Sequence, residues 1–76
     1  MKNIDRNGKR IKSGMKAIFN GTDIMGETWL EHGTMRYDRS YNAYMFIADD
    51  GQAHVAIFDW QPGKRIFKYY EVTNDK

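Results

Sequence analysis

The chain has 76 residues, a net charge of +2 and no cysteine. A length of this order makes one domain with a thin core, burying only roughly 60–65% of the surface its unfolded form exposes. Without cysteine, disulfide staples, thiolate zinc sites and iron–sulfur clusters are excluded. No apolar run reaches the ~20 residues of a membrane span, and no apolar stretch follows the N-terminal lysines and arginines, so a cytoplasmic location is expected.

The first segment is basic. Residues 1–16 carry Lys2, Arg6, Lys9, Arg10, Lys12 and Lys16 against the single acid Asp5, whereas the remaining sixty residues carry six basic and nine acidic groups. This reads as a flexible, solvated arm over residues 1–10, or as an electrostatic contact for nucleic acid or an acidic partner. A first strand is predicted over Met15–Asn20, followed by a loop that contains Gly21 and Gly26. The second strand, Thr28–Tyr37, holds Gly33, which suggests a bulge or sharp bend. After Asp38–Asn42 comes a third strand in which Tyr44, Phe46 and Ala48 alternate with Ala43, Met45 and Ile47, the period of a strand.

Asp49-Asp50-Gly51-Gln52 then supplies a hairpin turn. A fourth strand over Ala53–Trp60 places Val55 and Ile57 on one face and His54, Ala56, Phe58 and Trp60 on the other. Gln61-Pro62-Gly63-Lys64 fits a type II turn, with Pro second and Gly third. The last strand runs from about Arg65 to Val72, and residues 73–76 are expected to be a flexible end. No window carries an apolar stripe at helical spacing. Five short strands in so small a chain must curl around one core, so the expected fold is an all-β, five-stranded SH3-like barrel over about residues 11–72. The OB-fold is the runner-up, but it usually needs a longer chain and a helix, for which this sequence leaves no room.

The residues that carry chemistry do not assemble into a recognisable site. His32 and His54 fall on different strands, and neither spacing marks a metal motif; a metal site would need both to converge with a carboxylate such as Asp59 or Glu31. Ser13 and Ser40 sit in turn-like contexts with no histidine beside them. Asp49 and Asp50 are neighbours on a turn and point apart, and the glycines match neither phosphate-binding fingerprint. No catalytic residue, metal ligand or cofactor site is assigned, and a non-enzymatic protein is expected.

Aromatic side chains are numerous: eleven of 76 residues. Phe19, Phe46, Phe58 and Phe67, one on each of four predicted strands, are the expected core members. That leaves Trp29, Tyr37, Tyr41, Tyr44, Trp60, Tyr69 and Tyr70, and of the adjacent pair Tyr69-Tyr70 only one ring can point inward. The remainder serve as cross-strand pairs that stabilise the sheet, or as a recognition surface among Arg36, Arg39, Lys64, Arg65 and Lys68.

At the N-terminus, Asp5-Arg6-Asn7-Gly8-Lys9-Arg10-Ile11-Lys12-Ser13-Gly14-Met15 resembles a pattern of small bacteriophage and prophage proteins, the YopX-like group. There an Asp-x-Asn-Gly-Lys-x-Ile segment leads through a Gly into the first strand of an SH3-like barrel. The closing Tyr70-Glu71-Val72 is similar to their late strand. The likeness covers about a fifth of the chain, and it departs at Met15, where the group often has an acidic residue, and after Val72. It implies a phage or prophage accessory protein in a bacterial cytoplasm, and it transfers no active-site residue.

Three functions are therefore expected in order. The first is a module that binds another protein through Trp29, Tyr41, Trp60 and Tyr69 with Arg39 and Lys64 nearby, modulating a host enzyme or defence complex. The second is a nucleic-acid-binding module using Lys9, Arg10, Lys12 and Lys16 for phosphate and exposed aromatics for stacking. The third is a homo-oligomer built through an open edge strand.

Overall fold

The structure, a computed structural model, describes residues 1–73. It is all-β, with eight strands: β1 (Lys2–Asp5), β2 (Met15–Thr22), β3 (Thr28–Asp38), β4 (Ala43–Ala48), β5 (Ala53–Val55), β6 (Asp59–Gln61), β7 (Lys64–Phe67) and β8 (Tyr70–Val72). They form a five-stranded sheet in the order β5-β4-β3-β2-β8 and a three-stranded sheet in the order β1-β7-β6. The two sheets close a small barrel-like fold around one core.

The predicted strands from Met15 to Ala48 appear at nearly their expected bounds. Each pairs antiparallel with its successor, β2 with β3 from Met15↔Met35 to Thr22↔Thr28 and β3 with β4 from Gly33↔Ala48 to Asp38↔Ala43. Tyr44, Phe46 and Ala48 are buried and their alternating neighbours half-buried, as period two requires. Gly33 lies in unbroken register on both sides, so it is not a bulge. A Cβ there would collide with the Ile47 carbonyl oxygen and come within 2.7 Å of the Phe46 ring and 2.9 Å of Ala48 Cα. Glycine is needed for close approach.

The two last predicted strands each break and change sheet, which turns five strands into more. Ala53–Trp60 divides at residues 56–58 into β5 and β6, and Arg65–Val72 divides at the Lys68-Tyr69 turn into β7 and β8. At the first corner Ala56 is buried and its N–H donates to the Tyr44 carbonyl (2.8 Å). Strands that switch sheets in this way make the corners of small barrels. Gly63 at φ 81° fits the third position of the expected type II turn between β6 and β7.

The N-terminal segment corrects the expectation of a flexible arm. Residues 2–5 pair parallel with β7, from Lys2↔Lys64 to Asp5↔Phe67, and Ile4 bridges Arg10. Asp5 is buried. Its Oδ1 accepts the N–H groups of Asn7 and Lys9, and its Oδ2 accepts that of Val72, each at 2.8 Å. A buried carboxylate is tolerated when every lone pair finds a donor, and here those donors tie the N-terminal turn to β8. Ile11 is buried against the same core. At the other end, Thr73 N–H donates to the Lys16 carbonyl (2.9 Å); residues 74–76 of the expected flexible end lie outside the described residues.

The core aromatics also differ from expectation. Phe46 and Phe67 are fully buried, Phe19 is partly buried, and Phe58 is 37% exposed with the Arg65 guanidinium 5.2 Å from its ring centre. Tyr70 and Tyr44 take the vacated places. Tyr70 packs against Phe19, Phe46 and Phe67 at centroid distances of 5.1, 5.7 and 6.4 Å, while Tyr69 stays half-buried. The reason is the corner at residues 56–58, which turns Phe58 out of the line set by His54 and Ala56.

Candidate functional site

The most exposed large apolar side chains among the described residues lie at the far end of the β2–β3 hairpin. Asp23 Oδ1 accepts the N–H groups of Met25 and Glu27 at 2.9 Å, Asp23 N–H donates to the Glu27 carbonyl, and Gly26 takes φ 84°. This is a fully hydrogen-bonded turn. On it Ile24 is completely exposed and Met25 is 81% exposed, with Leu30 exposed just below. Two large apolar side chains on an ordered turn incur a standing hydration cost, and contiguous exposed apolar surface of this kind marks interaction sites.

Below the tip, Trp29 lies across β2. Its indole occupies the place a Cβ on Gly21 would need, its Nε1 donates to Glu31 Oε2 (2.7 Å), and it meets Phe19 edge-on at 6.3 Å. The ring is therefore oriented, yet it remains 42% exposed. Beside it, past the end of β8, opens a cavity of about 490 Å³ whose wall includes Arg6, Asn20, Trp29, Lys68 and Tyr69. Lys68 Nζ lies 3.1 Å from Asp59 Oδ2 and 5.4 Å from the Tyr69 ring centre. The hydrogen bond to Asp59 and its charge hold the Lys68 pKa above the ordinary lysine value.

The structure thus brings together two of the six expected protein-contact residues, Trp29 and Tyr69, and separates the rest. Arg39 and Tyr41 lie in the β3–β4 turn, where Arg39 borders a second cavity of about 420 Å³ on the outer face of the five-stranded sheet. Trp60 and Lys64 belong to the β6–β7 hairpin of the other sheet. Trp60 and Tyr41 are well exposed, and neither lines the cavity beside Trp29.

The expected phosphate contacts Lys9, Arg10, Lys12 and Lys16 are all exposed. Lys16 Nζ sits 3.9 Å from Asp49, and none of the four lines the Trp29 cavity. The cations that do line it are Arg6 and Lys68. Arg6 is carried there because its N–H donates to the Tyr70 carbonyl (3.0 Å), a placement invisible while the segment is read as an arm.

The histidines occupy opposite faces. His32 pairs with Ile18 on the outer face, whereas His54 pairs with Phe46 and points inward. His54 Nε2 lies 2.8 Å from the Tyr70 hydroxyl, which also accepts the Ile57 N–H (3.4 Å). Burial pushes the Tyr70 pKa up to about 12. Ser13 Oγ accepts the Tyr37 N–H and so braces β3, and the Ser40 backbone N–H donates to Asp38 Oδ1.

Ile24, Met25 and Leu30 were not among the expected contact residues. The available signal was an Ile-Met pair between Asp23 and Gly26, since apolar side chains at the centre of a tight turn have no core to enter. Among the described residues no helix is long and apolar enough to cross a membrane. Comparison with family models, curated proteins and solved structures gives no match to this chain.

Proposed function

We propose that this chain is a non-enzymatic binding module that docks on another protein through the tip of the β2–β3 hairpin. The observation that carries the reading is the fully exposed Ile24 and largely exposed Met25 on a turn already fixed by Asp23. Preorganisation lowers the ordering cost of binding, so such a tip contributes its apolar area at little entropic expense. The likeness of Asp5–Met15 to YopX-like proteins supports a phage or prophage accessory role in a bacterial cytoplasm, with a host enzyme or defence complex as the protein acted upon.

The test compares capture from a bacterial lysate by the wild-type chain and by Ile24→Asp/Met25→Asp, with circular dichroism confirming that both are folded. A partner held by the wild type and lost with the tip variant supports the reading; equal capture by both sinks it.

One further observation favours a second reading. The Trp29 and Tyr69 rings share a cavity with Arg6 and Lys68, and no carboxylate lines it, in a body whose charge is otherwise acidic. Aromatic rings beside cations suit the bases and phosphates of a single strand. Under this reading labelled oligonucleotides bind more weakly as salt rises, and Trp29→Ala reduces binding at all salt concentrations. No binding at low salt removes it.

A further inference from the structure

The outer face of the five-stranded sheet carries the chemistry that the hairpin tip lacks. Across β4 and β5, Met45 stands opposite Val55 and Ile47 opposite Ala53. These side chains share the face opposite to buried Tyr44, Phe46 and Ala48. Met45, Ile47 and Ala53 line the cavity of about 420 Å³ whose rim carries Arg36 and Arg39, with Asp38 as the one acid. Val55, half exposed, extends the apolar strip.

The tip is the complement of this groove in both respects. Ile24 and Met25 are apolar, and they are flanked by Asp23 and Glu27. Among the described residues neither acid forms an ion pair, and neither do Arg36 and Arg39. The groove is roomy enough for an Ile and a Met side chain together.

One molecule cannot satisfy itself. β3 starts beside the tip at Thr28, and Arg36 lies eight residues along it. At about 3.4 Å per residue this separates tip and groove by roughly 27 Å. Within a single copy the apolar tip stays in water. Only a neighbouring molecule can cover it.

We infer that the occupant of the groove is the Ile24-Met25 tip of a second copy of this chain. This rests on the reading of the tip as a protein-docking element, and it takes a second copy of this chain, in place of a host protein, as what the tip meets. Glu27 of one copy meets the Arg36 and Arg39 rim of the other, and Ile24 and Met25 enter between Met45, Ile47 and Ala53. Used reciprocally by two molecules, the contact buries both tips and closes at a dimer. Asp23 is kept for the turn, so the charge that selects the partner is that of Glu27.

Light scattering after size exclusion, on the wild-type chain over a range of concentrations, reads the mass against 9.0 kDa for one copy. The expected result is reversible doubling, lost in Ile24→Asp/Met25→Asp and weakened about tenfold in Glu27→Arg and in Arg36→Glu/Arg39→Glu. The last two, mixed, recover the double mass as a heterodimer, because each then presents the other with opposite charge; this rescue excludes misfolding as the cause of the losses.

A wild-type chain that stays at one copy at its highest soluble concentration overturns the inference. So does a dimer that ignores every one of these substitutions, which would point to an edge strand. A single copy that still captures a bacterial protein through the tip leaves the docking reading standing and removes only the second copy as partner. A single copy that captures nothing removes both.

Discussion

Two turns in the chain follow one spacing, Asp5-Arg6-Asn7-Gly8-Lys9 and Asp23-Ile24-Met25-Gly26-Glu27. In each, the first N–H donates to the fifth carbonyl and the glycine N–H to the aspartate carbonyl. The aspartate Oδ1 accepts the third and fifth N–H groups, and the glycine sits at φ 83° or 84°. What differs is the second carboxylate oxygen. Asp5 Oδ2 takes the buried Val72 N–H, whereas Asp23 stands in solvent. One turn closes the fold and the other presents side chains. Identical local chemistry thus closes the fold in one place and holds side chains out in solvent in the other.

The largest expected effect breaks the comparison. Asp5→Ala removes the acceptor of three N–H groups, one of them fully interior, and costs about 3 kcal/mol or more. That is a large share of what a domain of this size has. Asp23→Ala removes two bonds that water replaces and costs less than about 1 kcal/mol. Urea midpoints of the two variants measure the gap, and equal midpoints would show that the Val72 bond contributes nothing.

Alkaline pH acts on the Asp5 side through Tyr70. Tyr70 adjoins that turn, its carbonyl accepting the Arg6 N–H, and its pKa of about 12 exceeds the ordinary tyrosine value of 10.0. The folded state therefore keeps a proton that the unfolded chain loses. The stabilisation is complete below pH 10 and disappears as pH rises toward 12. Thermal melts across that window should show falling stability, with a shallower fall in Tyr70→Phe. An unchanged slope in that variant would acquit Tyr70.

The smallest effect sharpens the likeness. Gly8→Ala and Gly26→Ala place a Cβ in open space at nearly the same positive φ, so only backbone strain is charged, about 1 kcal/mol in each. Matching losses in denaturant midpoint mark the turns as locally equivalent. A markedly larger loss for Gly8→Ala would mean that the Asp5 turn is held by more than its own hydrogen bonds.

Much of the β2–β4 region was legible because alternation in Ala43–Ala48 and the glycine-bearing turns state strand and face directly. The corners at residues 56–58 and 68–69 were not, since a run of β-forming residues says nothing about which sheet it joins. Phe58 was misplaced in the core for that reason. Asp5 was hidden differently: an acid among six basic groups reads as solvated until the fold supplies Val72. Trp29 and Tyr69 were legible as aromatics outside the central core, but their company, Arg6 and Lys68, depends on β1. The tip was missed because composition-based reading looks for aromatics and cations, and Ile24 and Met25 are neither.

The parallel pairing of β1 with β7 sets an order in time. Lys2 leaves the ribosome before its partner Lys64, which follows sixty-two residues later, roughly 3–12 s at ordinary ribosomal rates. During that interval Met15–Ala48 can already form its hairpins, which need only near neighbours. The oldest strand is therefore seated last, against β7, when Asp5 and Val72 meet. An interrupted or slowed translation would leave a three-stranded intermediate whose β2 edge, later covered by β8, stands open to other chains.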